Sequence, residues 1–161
     1  MNIDFKKKYL KYKTKYFTLE NNYLSYYDNY EIENFLQIGG ESDLNKKNIL
    51  GTPLIPCRAT GKVTGYYRDG VCSTGKSDVG THVVCAIVDD KFLQFTKSKG
   101  NDLITPTSYF PGLVAGDKWC LCILRWIEAY KAGKAPKIIA ESTNEIAGNY
   151  IDKNILLQYA I

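Results

Sequence analysis

The chain has 161 residues, of which 45% are hydrophobic and 24% are charged. This length provides one domain of ordinary size plus an appendage, and the composition is that of a globular protein. No apolar run approaches the ~20 residues of a membrane span, and the lysine-rich start lacks the apolar segment of a secretory signal. We therefore expect the protein to stay inside a cell.

The net charge of +4 is concentrated at the start of the chain. Residues 1–20 hold six lysines against Asp4 and Glu20, while the remaining residues hold equal numbers of basic and acidic side chains. Because the positive field is confined to this segment, we expect no sequence-specific nucleic-acid binding by the rest of the chain.

Residues 1–27, called the leader below, are predicted to form a basic amphipathic helix. Large apolar side chains recur at alternating spacings of four and three residues, which is an a/d heptad pattern. They are Phe5, Tyr9, Tyr12, Tyr16, Leu19, Tyr23 and Tyr26. Three uses stay open: docking on a protein partner or self-association, binding to an anionic membrane surface or nucleic acid, and packing on the chain's own domain. Residues 28–47 then turn acidic, contain Gly39-Gly40 and are predicted to be a linker.

The leader and linker also share a sequence pattern with other proteins. The pattern consists of Lys8-Tyr9-Leu10-Lys11-Tyr12-Lys13, then Leu19, then Gln37-Ile38-Gly39-Gly40. It resembles N-terminal segments found in proteins of giant DNA viruses of the mimivirus type. In large DNA viruses a Gly-Gly of this kind can be the cut site of a SUMO-like cysteine protease. The resemblance implies a viral protein with a removable or docking leader, located in the host cytoplasm or in the virion.

Residues 48–161 contain a second set of ordered motifs. They include Asn48-Ile49-Leu50-Gly51-Thr52-Pro53, Thr64-Gly65-Tyr66-Tyr67-Arg68-Asp69-Gly70, Asp78-Val79-Gly80-Thr81-His82, Gly100-Asn101-Asp102-Leu103, Phe110-Pro111-Gly112-Leu113 and Trp119-Cys120-Leu121-Cys122. This set resembles a small bacterial and algal family catalogued as domain of unknown function 2237. The chain departs from the family pattern at Val71, where the family has Cys, and at Asn144, where it has His. The family has no assigned activity, so the resemblance implies a domain and not a reaction.

The predicted fold of residues 48–161 is α+β, with a small sheet of three to four strands covered by a central buried helix. That helix is predicted over residues 117–132, where apolar side chains cover a broad arc at ~100° per residue. Asp117 is the expected N-cap, and Gly133 followed by Pro136 is the expected stop.

The other predicted elements follow from local patterns. Strands are predicted over residues 61–69, 82–88 and 136–142, of which 82–88 is a near-continuous apolar, β-branched run. Asp89-Asp90 is expected to cap a helix that ends at Gly100, with a hairpin strand as the alternative. Thr143 and Asp152 are expected to cap two short terminal helices.

The five cysteines are predicted to be buried free thiols, because their number is odd and no C-x-x-C pair occurs. They are Cys57, Cys72, Cys85, Cys120 and Cys122. On the predicted helix Cys120 and Cys122 would lie ~200° apart, so they could not bind one ion. Cys120 would occupy the first helical turn, where the helix dipole favours a thiolate, and it is the candidate nucleophile. The alternative is that Cys120 packs as a small apolar side chain.

His82 is the only histidine and completes the candidate catalytic set, which is Cys120, His82 and Cys72. It could act as a general base or bind a metal, or it could hold the loop that precedes it. In a regular strand its side chain would lie on the face opposite Cys85. No metal is firmly predicted, and Zn²⁺ is the cofactor that the residues could bind. Its ligands would be Cys57, Cys72, His82 and one of Cys120 or Cys122.

Polar residues in glycine-rich loops are candidates for a small-ligand pocket. They are Arg68, Asp69, Asp78, Asn101 and Asp102. The alternative is that each Asp or Asn bonds its own turn. Together these features favour a small cysteine-containing domain with ligand binding or thiol-based chemistry at Cys120 and His82. A non-enzymatic virion structural or interaction protein and a zinc-stabilised domain are the alternatives.

Overall fold

Three antiparallel strands form the sheet in the computed structural model, which describes residues 46–58 and 60–161. The strands are β1 (His82–Ile87), β2 (Lys118–Cys122) and β3 (Lys137–Ile138), in the spatial order β2-β1-β3. The helices are α1 (Asp90–Ser98), α2 (Ile123–Lys131) and α3 (Lys153–Gln158), with 3₁₀ segments at Ala140–Ser142 and Glu145–Asn149. The α+β class and the small sheet are confirmed. The predictions for the leader, and for the linker up to residue 45, lie outside the described residues.

β1 is the central strand of the sheet. Its ladder with β2 runs from Ile87 opposite Lys118 to His82 opposite Cys122, and β3 pairs with its other edge. The four inner residues of β1 are fully buried, as expected for an apolar strand covered on both faces. The prediction of a strand over residues 82–88 is confirmed.

The central helix is half as long as predicted. Residues 118–122 form β2, and the helix begins only at Ile123. Asp117 is therefore not its N-cap. The physical reason is that a short apolar run is compatible with both the helical and the strand period. Pairing with β1 stabilises the strand here. α2 is nevertheless buried as expected: Trp126 is fully enclosed, stacks on Tyr130 and donates its indole N–H to Pro136 O at 3.2 Å.

Two predicted strands and one predicted cap also need correction. Residues 61–69 form bends and turns, because glycines within and beside this stretch have a positive φ that an extended strand does not allow. They are Gly61, Gly65 and Gly70. The strand predicted over residues 136–142 is reduced to Lys137–Ile138. Asn144, and not Thr143, caps the segment that follows.

Two other predicted caps are confirmed. Asp89 accepts a hydrogen bond from Phe92 N at the start of α1, and Asp152 accepts one from Asn154 N at the start of α3. Among the helices within residues 46–58 and 60–161, none has the length and apolar character of a membrane span.

The long irregular segment before β1 is attached to the sheet by buried polar contacts. The Asn48 side chain is fully buried and donates to Thr52 Oγ1, Pro53 O and Glu141 O. Arg58 and Lys62 both form ion pairs with Asp117, each at 2.7 Å. These contacts join Asn48 to the 3₁₀ segment that follows β3, and they join Arg58 and Lys62 to the residue that precedes β2.

Candidate functional site

Four of the five cysteines form two disulfides, which corrects the prediction of free thiols. Cys57 bonds to Cys85 and Cys72 bonds to Cys120, with Cα separations of 5.7 and 5.2 Å. Cys85 and Cys120 are directly opposite each other across β1 and β2, so the two disulfides are neighbours. All four residues are at most 3% exposed and form one buried cluster.

Cys120 differs from its predicted description in two ways. It lies in β2 and not in the first turn of a helix, and its sulfur is bonded to Cys72. Neither of these two candidate catalytic cysteines therefore has a free thiol in this structure. All five cysteines lie within the described residues, and Cys122 is the one that forms no disulfide.

Cys122 ends β2 and occupies the N-cap position of α2. Its side chain makes no capping hydrogen bond, and the residue is half-buried. Residues two apart on a strand share a face, so the Cys122 thiol lies on the same face of β2 as Cys120. The sequence predicts these two sulfur atoms on different sides of a helix, so a shared face was not expected.

A β-bulge brings His82 to this face as well. His82 pairs with Cys122 and Val84 pairs with Leu121, so Val83 is an extra residue in β1. Residues directly opposite each other in an antiparallel ladder point to the same side of the sheet. His82 is therefore on the face of Cys122, Cys120 and Cys85, whereas a regular strand would have placed it on the face opposite Cys85.

The imidazole of His82 is oriented by Asp78. Its Nδ1 lies 2.6 Å from Asp78 Oδ1, and Asp78 Oδ2 accepts from His82 N at 2.7 Å and from Thr74 Oγ1 at 2.9 Å. Burial alone would raise the pKa of the Asp78 carboxyl, but the hydrogen bonds from His82 and Thr74 outweigh it and lower this pKa. A carboxylate only accepts hydrogen bonds, so this contact selects the tautomer with the hydrogen on Nδ1 and leaves Nε2 as the acceptor atom of that tautomer.

The ring is also packed tightly on two sides while part of it reaches solvent. Tyr66 stacks on it with ring centroids 5.8 Å apart. A Cβ added to Gly80 would come within 2.6 Å of His82 Cε1, so only glycine lets the backbone approach this closely. Thr81, directly before His82, has φ of 51°, a strained value that is uncommon for β-branched residues. The His82 side chain is 34% exposed.

Most of the predicted ligand-binding residues bond their own surroundings. Asp69 accepts from Val71 N, and Asn101 donates to Thr96 Oγ1. Asp102 accepts from Ile104 N and from Thr105, and the bond from the Thr105 backbone is the largest cause of its lowered pKa. Arg68, whose φ is 58°, has its guanidinium 4.9 Å from the Trp119 ring centroid. Asp78 alone of this set contacts His82.

The residues predicted as zinc ligands are only partly gathered. The sulfur atoms of Cys57 and Cys72 lie with that of Cys120 in a group whose members are all within 4.8 Å of one another. His82 is bonded to Asp78 instead. Two features went unrecognised in the sequence. One is the i, i+4 pairing of Asp78 with His82. The other is the role of Cys122 as the thiol without a disulfide, because Cys122 was considered only as a candidate zinc ligand although the C-x-C spacing places it beside Cys120 on a strand.

Comparison with known proteins identifies the family. No curated protein matches the chain. A family model described as "uncharacterized protein conserved in bacteria" matches residues 47–160. This match covers most of the chain and all the residues of the site described above. The chain therefore belongs to this family of uncharacterized proteins, DUF2237.

Proposed function

We propose that the domain carries out thiol–disulfide exchange, with Cys122 as the thiol that reacts with partner molecules. The observation that carries the proposal is the position of the free Cys122, which pairs with His82 across the ladder and lies two residues along β2 from Cys120, the partner of Cys72. A nucleophilic thiol, a base and a group that orients the base are the parts required for thiol catalysis.

Each part has a role that follows from its place on the sheet. His82 accepts the proton of the Cys122 thiol at Nε2, while Asp78 holds the ring through Nδ1. The resulting thiolate lies at the N-terminal end of α2, where the helix dipole stabilises negative charge. The thiolate is the reactive species in disulfide exchange.

The first exchange step uses only sulfur atoms of this chain, and its atoms and electrons balance. The Cys122 thiolate attacks one sulfur of the Cys72–Cys120 disulfide, so a bond from Cys122 forms and the original S–S bond breaks. The second sulfur leaves as a thiolate and takes a proton. A dithiol substrate then reduces the new disulfide and becomes a disulfide itself, so two electrons and two protons pass from substrate to protein.

Burial explains why a separate entry thiol is needed. Cys72 and Cys120 are at most 1% exposed, so an external thiol has no direct access to their sulfur atoms. Cys122 is only half-buried and lies on the same strand. It can therefore react with a molecule in solvent and also with the buried disulfide.

The test is the rate at which the oxidised full-length protein oxidises a dithiol peptide, with each cysteine followed by differential alkylation. We expect Cys72–Cys120 to be reduced first in the wild type. Cys122→Ser should lose the exchange, and His82→Asn should slow it about tenfold or more. Asn is the informative replacement because it can keep a donor for Asp78 but has no base at the Nε2 position.

The matched control is the double variant Cys57→Ala/Cys85→Ala, which removes the other disulfide and should retain exchange. Unchanged exchange in Cys122→Ser would refute the proposal. Resistance of Cys122 to alkylation in the native protein would also refute it, and would favour a non-enzymatic structural or interaction protein.

We further propose that the leader docks the domain on a protein partner in an infected cell or virion. The heptad spacing of Phe5, Tyr9, Tyr12 and Tyr16 and the surrounding lysines support this proposal. The test is co-purification from infected cells of the full chain compared with a Tyr9→Ser/Tyr16→Ser variant. Equal recovery of partners by both proteins would contradict the proposal.

A further inference from the structure

We propose that the four buried cysteines, once reduced, form a tetrathiolate site for Zn²⁺. The ligands are the sulfur atoms of Cys57, Cys72, Cys85 and Cys120. This inference goes beyond the exchange reaction and does not require Cys122 or His82. The set also differs from the zinc ligands predicted from the sequence, because strand pairing with Cys120 brings in Cys85 in place of His82.

Three of the four sulfur positions are already close to those of a zinc site. Cys57, Cys72 and Cys120 place their sulfur atoms within 4.8 Å of one another, and the sulfur of Cys85 is bonded to that of Cys57. Zinc binds thiolates at about 2.3 Å in a tetrahedron, which sets sulfur–sulfur distances of about 3.8 Å. After reduction the bonded pairs must separate to this distance, and the sulfur of Cys85, which is outside the group of three, must move toward Cys72 and Cys120.

The backbone of each cysteine is held by a hydrogen bond that does not depend on the disulfides. Cys85 N donates to Thr143 Oγ1 at 3.1 Å, and Cys120 N donates to Thr64 Oγ1 at 2.7 Å. The other two bonds are Cys57 N to Gly70 O at 2.8 Å and Asn144 Nδ2 to Cys72 O at 3.2 Å. Reduction therefore leaves the four Cα positions constrained.

The surroundings of the sulfur atoms favour a metal over free thiolates. Each of the four residues is at most 3% exposed, and Ile139 packs against the cluster. An uncompensated thiolate is costly in such an apolar site, whereas zinc neutralises half of the charge of four thiolates. The reduced cluster should thus hold either four neutral thiols or a bound metal.

The chemistry is balanced by a dithiol reductant. Each disulfide takes two electrons and two protons from one dithiol, which becomes a cyclic disulfide. Binding of Zn²⁺ then displaces four protons from the four thiols. The same sulfur atoms cannot be bonded in pairs and bind zinc together, so metal binding and oxidation exclude each other.

The test uses the full chain, reduced in denaturant with dithiothreitol without oxygen so that reduction does not depend on Cys122, then refolded, freed of reductant and titrated with Co²⁺ and then Zn²⁺. We expect one equivalent of Co²⁺ to give the visible absorption and sulfur-to-metal charge-transfer bands of a tetrahedral thiolate site. Zn²⁺ should then remove these bands. Cys122→Ser and His82→Asn should bind as the wild type does, whereas Cys57→Ser and Cys120→Ser should lose the tetrathiolate spectrum.

Several results would overturn the inference. They are the absence of stoichiometric metal binding, loss of binding in Cys122→Ser, and full binding in Cys120→Ser. If the reduced protein loses its circular dichroism spectrum, zinc should restore it, and failure to do so also counts against the site. Because Cys122→Ser is expected to bind zinc but not to exchange disulfides, the two proposals can fail separately.

Discussion

Cys122 lies directly opposite His82 across β1 and β2, and it does so because Val83 is an extra residue in β1. Without that bulge, the imidazole would lie on the other face of the sheet from the four bonded cysteines. One inserted residue therefore brings the only histidine of the chain to the sheet face that carries Cys85, Cys120 and Cys122.

We predict that Gly80→Ala will displace the His82 ring and slow the reaction of Cys122 with iodoacetamide severalfold. The added methyl group would lie 2.6 Å from Cε1, closer than carbon atoms approach, so the ring must move. His82 gives the only histidine signals in the chain, and their NMR shifts report the displacement directly. Gly148→Ala is the control because nothing lies within 4 Å of its added methyl group. Unchanged His82 shifts in Gly80→Ala would contradict this prediction.

Removal of either disulfide should lower the free energy of unfolding by about 3–4 kcal/mol. The cross-links join residues 28 and 48 positions apart, and the entropy that they remove from the unfolded chain grows slowly with this separation. Cys72→Ala/Cys120→Ala should thus be slightly the more destabilising pair. Denaturant unfolding of the two double variants measures both values. A loss below about 1 kcal/mol in either variant would show that the cross-link contributes little.

The ionised carboxylate of Asp117 should stabilise the fold, and this stabilisation should be lost in acid. Burial would raise the pKa of its carboxyl, but bonds from Lys62, Val114 N and Arg58 lower it from 3.8 to about 2. The stabilisation is complete above the unfolded value of 3.8 and is lost as the pH falls toward 2. Asp117→Asn should therefore lower the free energy of unfolding by about 2 kcal/mol at neutral pH. Between about pH 4 and 2 the variant should lose less stability than the wild type. Asp90→Asn, at an exposed position in α1, is the control, and equal pH profiles for both variants would refute the role of Asp117.

Thr64→Val should destabilise the fold by about 1–3 kcal/mol, because it leaves the buried N–H of Cys120 without its acceptor. Valine has the same shape, so the loss isolates the hydrogen bond from the packing. Thr64→Ser keeps the hydroxyl and serves as the control. Thermal unfolding of the two variants gives the comparison, and equal midpoints would show that the bond to Cys120 is unimportant.

The elements that could be predicted from the sequence depend on local signals. β1 was recognisable because its apolar run is too short for a helix and rich in β-branched residues, and α1 was recognisable from its Asp89 cap. β2 was not recognisable, because the apolar side chains of residues 117–132 follow the helical period along the whole stretch. Only pairing with a strand some thirty residues earlier in the chain converts the first part of that arc into a strand.

The site was less predictable than the fold for a related reason. His82 and the cysteines were the right residue types, but their partners depend on the ladder between β1 and β2. Neither the bonding of Cys72 to Cys120 nor the bulge at Val83 has a signature in residue spacing. The loop carboxylates Asp69 and Asp102 accept hydrogen bonds from their own turns, which was the alternative to ligand binding expected from the sequence.

The two disulfides enclose overlapping stretches of chain, from Cys57 to Cys85 and from Cys72 to Cys120. Any single peptidase nick between Cys57 and Cys120 therefore leaves both fragments covalently joined. Such a nicked molecule would migrate as an intact chain in denaturing electrophoresis and would separate into two pieces only after the gel sample is treated with reductant.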